Sequence, residues 1–335
     1  LDPENCSVAA APANGGRKAA RARLARHYHR PCRDATGALK KRKWWPFSRY
    51  VRYVAGQPKR IAAAARALKL IIDTLKIELR KARANGHFVG PINALNRVHL
   101  QWKQAKDRGL RNVAMSALDG PRPTDPAGLV DFAMNAAHGF FRPMQSPFEI
   151  GELVRLVQSR QPKHVLEIGT ARGGTLLLLT ESAAPGARIV SLDLPGGRNG
   201  GGYPEWKSAI YRKFPREGRT LTLVRGNSHL DSSREQVAKL AGPQGFDLIM
   251  IDADHSYDGV KRDFQLYRPL LAPGGMIVMH DILPNRFDAE IDVAPFWEEV
   301  KREYAHTREL IEDREQGVFG IGLVFPDGET REAPL

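Results

Sequence analysis

Apolar residues in the second half of the chain gather into short runs, most of them closed by an acid, a glycine or a proline. Val165-Leu-Glu-Ile, Ala187 to Leu194, Leu221 to Val224, Leu248 to Ile251 and Leu270 to Asp281 are the clearest. A run without polar alternation predicts a strand covered on both faces, the habit of parallel sheets. Glu205 to Phe214, Ser232 to Leu240, Val260 to Tyr267 and Pro295 to Tyr304 read as the connecting helices. Strands alternating with helices predict a doubly wound α/β sheet with helices on both faces. Arg308 to Glu312 and Val318 to Phe325 read as an antiparallel closing pair.

The first third is patterned differently. Residues 1–57 mix Ala, Gly, Arg and Pro without a period and predict a mobile arm. From Lys59 to Ala84, Ile61, Ala65, Leu68, Ile72, Leu75, Leu79 and Ala82 recur at alternating steps of four and three, a narrow seam on a basic helix. Such a seam packs on the rest of the protein, pairs with a second subunit in a homo-oligomer, or lies on a membrane. Asn85-Gly86 stops it, and Asp119 to Pro126 links to a helix over Leu129 to Phe141 at the mouth of the site. The expected organisation is a basic arm (1–57), a helical extension (58–110), a linker with a cap helix (111–147), the doubly wound domain (148–325) and a tail (326–335).

Charge follows the same division. The 335 residues carry a net +14, but residues 1–111 hold 26 Lys and Arg against 6 Asp and Glu, which leaves −6 for residues 112–335. A doubly wound domain of that sign is not built to bind nucleic acid by its own surface. Lys40-Lys-Arg-Lys-Trp-Trp-Pro-Phe47 places cations beside aromatics, a composition that suits an anionic membrane surface, single-stranded nucleic acid or a solvated linker. Cys6 and Cys32 are the only cysteines, which suits a reducing cytoplasm, with peripheral membrane contact through the arm. No run of about 18 apolar residues predicts a spanning helix.

Candidate chemistry collects where the runs end. After the first strand the chain reads Glu167-Ile-Gly169-Thr170-Ala-Arg-Gly173-Gly-Thr175, a strand, a glycine turn and a helix start. Glycines permit close backbone approach, and free N–H groups at a helix start favour an anion. The spacing E-x-G-x-x-x-G is not the G-x-G-x-x-G of dinucleotide folds. Asp193 closes the second strand 24 residues after Gly169, where an acid accepts from ribose hydroxyls. Asn227 and Ser228 follow the third strand and would border a purine edge. The fourth strand releases Asp252, Asp254 and His255, and the fifth His280 and Asp281, so two strands deliver acids and imidazoles to one rim.

From Phe148 to Val324 these segments resemble the class I S-adenosylmethionine-dependent methyltransferases, in particular the cephalosporin-hydroxylase-like and macrolide-sugar O-methyltransferase group. Leu-Glu-Ile-Gly-Thr, Ser-Leu-Asp-Leu-Pro-Gly-Gly, Ile-Asp-Ala-Asp-His-Ser-Tyr, Gly-Gly-Met-Ile-Val-Met-His-Asp and Gly-Val-Phe-Gly-Ile-Gly-Leu carry the likeness, in order. The resemblance implies a seven-stranded sheet in the order 3-2-1-4-5-7-6. It implies S-adenosylmethionine held by Glu167, Gly169, Thr170, Gly173, Thr175, Asp193, Asn227, Ser228 and Asp252. It further implies a cation such as Mg2+ at Asp252 and Asp281, where His280 stands in the place of a second acid. His255, three residues after Asp252, is the candidate general base for O-methylation of a small hydroxylated acceptor such as a sugar or natural product. The glycine-rich loop Pro195 to Tyr203 would cover cofactor or substrate. Three other readings compete: a methyltransferase tethered to membrane or RNA by the arm, a non-catalytic cofactor-binding scaffold, and an NAD-type oxidoreductase. The glycine spacing counts against the oxidoreductase, and the intact acids against the scaffold.

Overall fold

A computed structural model describes residues 105–196 and 202–328. The arm, the seam helix over 59–84 and the tail beyond Gly328 lie outside the described residues, as does the centre of the glycine-rich loop. Among the described residues, α1 (Arg111–Asp119), α2 (Pro126–Gly139) and α3 (Pro147–Arg160) lie ahead of the first strand. Both α2 and α3 open on proline behind a capping side chain. Asp125 accepts from the Gly128 N–H and Ser146 from the Phe148 N–H, which satisfies N–H groups the helix cannot. The last turn of α2 breaks at Ala136, and Ala137 and His138 are left-handed.

Then come β1 (His164–Ile168), α4 (Gly174–Ser182), β2 (Arg188–Asp193), α5 (Ser208–Tyr211) behind a single 3-10 turn, and β3 (Thr220–Arg225). After these follow α6 (Asp231–Ala241), β4 (Phe246–Ile251), α7 (Tyr257–Tyr267), β5 (Leu271–His280), α8 (Ala294–Glu303), β6 (Thr307–Leu310) and β7 (Ile321–Val324). The sheet order is β3-β2-β1-β4-β5-β7-β6, parallel except for β7, which runs antiparallel to both β5 and β6. The helix expected over Glu205 to Phe214 is thus much shorter. There Lys207 is buried against Asp107 at 2.7 Å and over the ring of Phe140, so side-chain packing fixes the segment more than a helical period does.

The unbroken apolar runs feed two cores by turns. Val165, Leu248, Met250, Met276 and Val278 face the layer that includes α3 and α4. Leu166, Ile168, Ile249, Ile251, Ile277 and Met279 face Val260, Phe264 and Trp297 on the other side. Each such side chain, fully buried, stabilises the sheet by about 1.5–3 kcal/mol, so a register slip would move each run into the wrong core. Every parallel strand consequently ends its C-terminus on one rim.

Candidate active site

On the β1 side of that rim, glycine is demanded by close packing. Gly169 has φ +94°, and a Cβ there would lie 2.0 Å from the carbonyl oxygen of Asp252, so the turn after β1 sits hard against the end of β4. Gly173 (φ +78°) faces the Tyr211 ring, and Gly174 faces the Phe141 carbonyl and Pro143. The segment after α2 therefore lies across the start of α4. Thr175, in its first turn, is buried.

Glu167 is fully buried. Its Oε2 accepts from the Thr170 hydroxyl at 2.6 Å, and its Oε1 has no partner. Burial holds its carboxyl well above the ordinary range, helped by the negative charges of Asp252 and Asp193 and opposed by the Thr170 hydroxyl. Asp193 is 4% exposed and already satisfied by backbone. Oδ1 accepts from the Thr170 N–H (3.0 Å) and more distantly the Ala171 N–H (3.4 Å), and Oδ2 from the Tyr203 N–H (3.0 Å). Burial raises its pKa against those bonds and the Arg225 charge. The return of the glycine-rich loop is pinned above it, with the Arg225 guanidinium 4.5 Å over the Tyr203 ring and 3.0 Å from Glu205. Asn227 accepts from the His229 N–H in an Asx turn, and the Ser228 carbonyl accepts from the Tyr267 hydroxyl. Leu194 and Leu230, just past β2 and β3, stay exposed.

The β4–β5 side holds four titratable groups that partner one another. His255 Nδ1 is 2.9 Å from Asp281 Oδ2 and 4.0 Å from Asp252 Oδ1; His280 Nδ1 is 3.1 Å from Asp252 Oδ1 and 3.4 Å from Asp281 Oδ2. Asp281 is held at φ +60°, a left-handed conformation unusual for a residue other than glycine. Burial works against the charge of His255, but the bond to Asp281 and the charges of Asp252 and Asp281 outweigh it and raise the imidazole. Burial likewise opposes His280, yet the two aspartates lift it well above the ordinary value. Asp281 is driven below the carboxylate range by both imidazoles against its own burial. One donor atom each from Asp252, His255 and Asp281 lie within 4.8 Å of one another, an arrangement that could hold a metal ion. His280 faces the carboxylates of that group and leaves its buried Nε2 without a partner. Asp254, released from the same strand, instead accepts from the N–H and hydroxyl of Ser256 at the cap of α7.

Sequence pattern missed three participants. Gln145, 6% exposed, donates from Nε2 to Asp252 Oδ2 across 3.4 Å, and its buried Oε1 has no partner. Glu149 is fully buried and accepts from the Glu312 and Gly320 N–H groups and the Gln316 amide, tying α3 to the β6–β7 connection. Arg225 closes β3 on the same rim as Asp193. The signal was present for Gln145 and Glu149: polar residues flanking Ser-Pro at a helix start, between Phe141 and Ile150. Two open clefts of about 540 Å³ lie away from this rim, one beside Arg122 and Arg216, the other between α2 and α3. The convergence of titratable groups, rather than the size of a cleft, marks the candidate site.

Residues 166–282, from the strand before the glycine turn to the residue after Asp281, match a family model described as a methyltransferase domain. No curated protein matches the chain in sequence. Among solved structures, the chain is similar to an O-methyltransferase from Bacillus cereus in complex with SAH, at 21% identity over 61% of this chain and 92% of that one, TM-score 0.44. It is also similar to the O-methyltransferase TomG from Streptomyces achromogenes, involved in tomaymycin synthesis and solved with SAM, at 17% identity over 61% and 90%, TM-score 0.43. The matched stretch contains the glycine turn and the acids at the ends of β2, β4 and β5.

Proposed function

We propose that the protein is an S-adenosylmethionine-dependent O-methyltransferase acting on a small hydroxylated molecule. The observation that carries this reading is the Asp281–His255 pair, 2.9 Å apart beside Asp252 on the rim of a methyltransferase domain. Asp281 accepts from His255 Nδ1–H and so fixes the tautomer that leaves Nε2 as the proton acceptor, the logic by which a carboxylate orients a catalytic imidazole. His255 keeps 23% of its side chain exposed, enough to meet an acceptor hydroxyl. An alcohol is a weak nucleophile at neutral pH, so removing its proton as its oxygen takes the methyl group is the step the protein must assist. The cofactor, when bound, supplies an activated methyl group on a sulfonium.

The rim suits that cofactor on its own chemistry, being rich in acceptors with the buried Glu167 Oε1 and Gln145 Oε1 unsatisfied. Glu167, Gly169, Thr170, Gly173, Thr175, Asp193, Asn227, Ser228 and Asp252 would hold it. The carboxylates of Asp252 and Asp281 have the donor type a hard cation such as Mg2+ accepts, with water completing the shell, and a bound cation would supply Lewis acidity toward the hydroxyl. His280 supports that set by holding the carboxylates.

The experiment is calorimetry with S-adenosylhomocysteine, followed by methyl transfer to a panel of sugars and phenols with and without chelator. Binding by the parent, lost in Asp193→Ala, supports the site; NAD binding in its place would overturn it. The arm belongs to the same proposal as a tether to an anionic surface. Removing residues 1–57 is expected to weaken salt-sensitive binding to anionic liposomes and leave cofactor affinity unchanged. If RNA binding is lost instead, the tether is to nucleic acid.

A further inference from the structure

We infer that Gln145 recognises the α-ammonium group of the amino-acid end of the cofactor, completing with Glu167 and Asp252 a subsite made of hydrogen-bond acceptors. This rests on the S-adenosylmethionine reading above and adds to it a residue that lies outside the methyltransferase-domain match. The Asp252 N–H donates to the Ile168 carbonyl at 2.8 Å, so the end of β4 is locked beside the strand that carries Glu167, and the negative charge of Asp252 acts on Glu167. Gln145 reaches the same place from the segment before α3, 107 residues away in sequence. Three oxygens on these adjoining segments have little to satisfy them: Glu167 Oε1 and Gln145 Oε1 have no partner, and Asp252 Oδ2 has only the long amide bond from Gln145.

Buried polar atoms are almost always paired, and orphans of one sign in one place mark a missing donor. The donor that suits oxygen acceptors beside a carboxylate is a cation with several N–H groups, and a primary ammonium carries three. Asp252 can serve both this group and the imidazoles because its two oxygens face different ways. Oδ2 meets Gln145, and Oδ1 meets His280 and His255. The position of Gln145 follows from local packing. Ser146 caps α3 and donates to Glu312 at 2.5 Å, and Phe141 behind it closes on Gly174, so the side chain between them is held at the rim.

The test compares two ligands that share the adenosine and sulfur but differ in the amino-acid end. The full-length protein and Gln145→Met are titrated with S-adenosylhomocysteine and with 5′-methylthioadenosine, which lacks the ammonium. The expected result is a loss of about tenfold or more for the first ligand, the weight of one hydrogen bond to a charged group, with less than a twofold change for the second. Gln145→Glu keeps an acceptor oxygen and is expected to hold S-adenosylhomocysteine within about threefold of the parent, which keeps the test decisive if the Met variant fails to fold. Equal losses for both ligands, no loss for S-adenosylhomocysteine, or a tenfold loss in Gln145→Glu would overturn the inference. A parent that binds neither ligand would overturn the cofactor reading itself, a different result from a parent that binds both and a Gln145 variant that is indifferent.

Discussion

The two halves of the rim solve the burial of acids in opposite ways. At the ends of β1 and β2, Glu167 and Asp193 are buried with hydroxyl and backbone donors and no cation in hydrogen-bond contact, and both carboxyls are raised. At the ends of β4 and β5, Asp281 is buried just as deeply but lies between two imidazoles, and it is lowered while they are raised. Burial alone favours the neutral form, and a close opposite charge reverses it. The first half thus buries its acids without a cationic partner, and the second is a charged cluster that already partners itself. In the proposed function, binding falls to the first and proton transfer to the second.

The largest expected effect breaks the second half while sparing the first. His255→Ala should lower turnover by roughly 10²- to 10⁴-fold and leave S-adenosylhomocysteine affinity within a factor of two by calorimetry. His280→Gln should cost stability as well. It removes the buried partner of two aspartates, a loss of about 3–5 kcal/mol for an unpaired buried charge, read as a fall in thermal midpoint at pH 6 in chelator. The sign has a pH signature. A raised imidazole contributes its stability fully below about pH 6.5 and loses it as pH rises through the folded value, so the gap between parent and His280→Gln should narrow toward alkaline pH. The lowered Asp281 contributes above about pH 4 and loses that only in strong acid.

Gly169→Ala tests the packing that joins the halves. With φ +94° and the Asp252 carbonyl 2.0 Å from the added Cβ, a loss of about 3 kcal/mol or more in denaturant unfolding is expected. An unchanged midpoint would show that the turn relaxes freely. Glu167→Gln should act with the opposite sign to His280→Gln. A buried carboxyl with a raised pKa loses stability as pH climbs from its unfolded value, about 4.3, toward its folded one. Removing it should therefore raise the thermal midpoint at pH 8, by the order of 1 kcal/mol. The smallest effect is at the loop over Asp193. Arg225→Ala removes a cation from the Tyr203 ring and from beside Asp193, and should weaken S-adenosylhomocysteine several-fold, on the order of 1 kcal/mol.

Much of this arrangement was legible in the chain before any coordinates. Strands announce themselves when every residue is apolar, and the acids that end them must fall on one rim, so Asp252, His255, His280 and Asp281 could be named together. Pattern could not tell what each group meets. Gly173 reads as a place where the backbone can approach a ligand, and the pattern could not show that a Cβ there would meet the Tyr211 ring. Asp193 read as an open acceptor, yet three backbone N–H groups reach it. Gln145 stands beside a legible helix start, but its partner is 107 residues away, so the sequence could not say what it meets.

The division of labour along the rim is tested most directly by the pH dependence of kcat for methyl transfer, parent against Asp281→Asn. With His255 as base, the rate rises with pH as the imidazole loses its proton. The Asp281 carboxylate holds that imidazole above its ordinary value, so the parent inflection is expected above about pH 6.5. In Asp281→Asn the opposing charge is gone, and the inflection should move to lower pH while the plateau rate drops. An unshifted inflection in Asp281→Asn, or the same pH profile in His255→Ala, would contradict the account and make the cluster a binding or structural feature only.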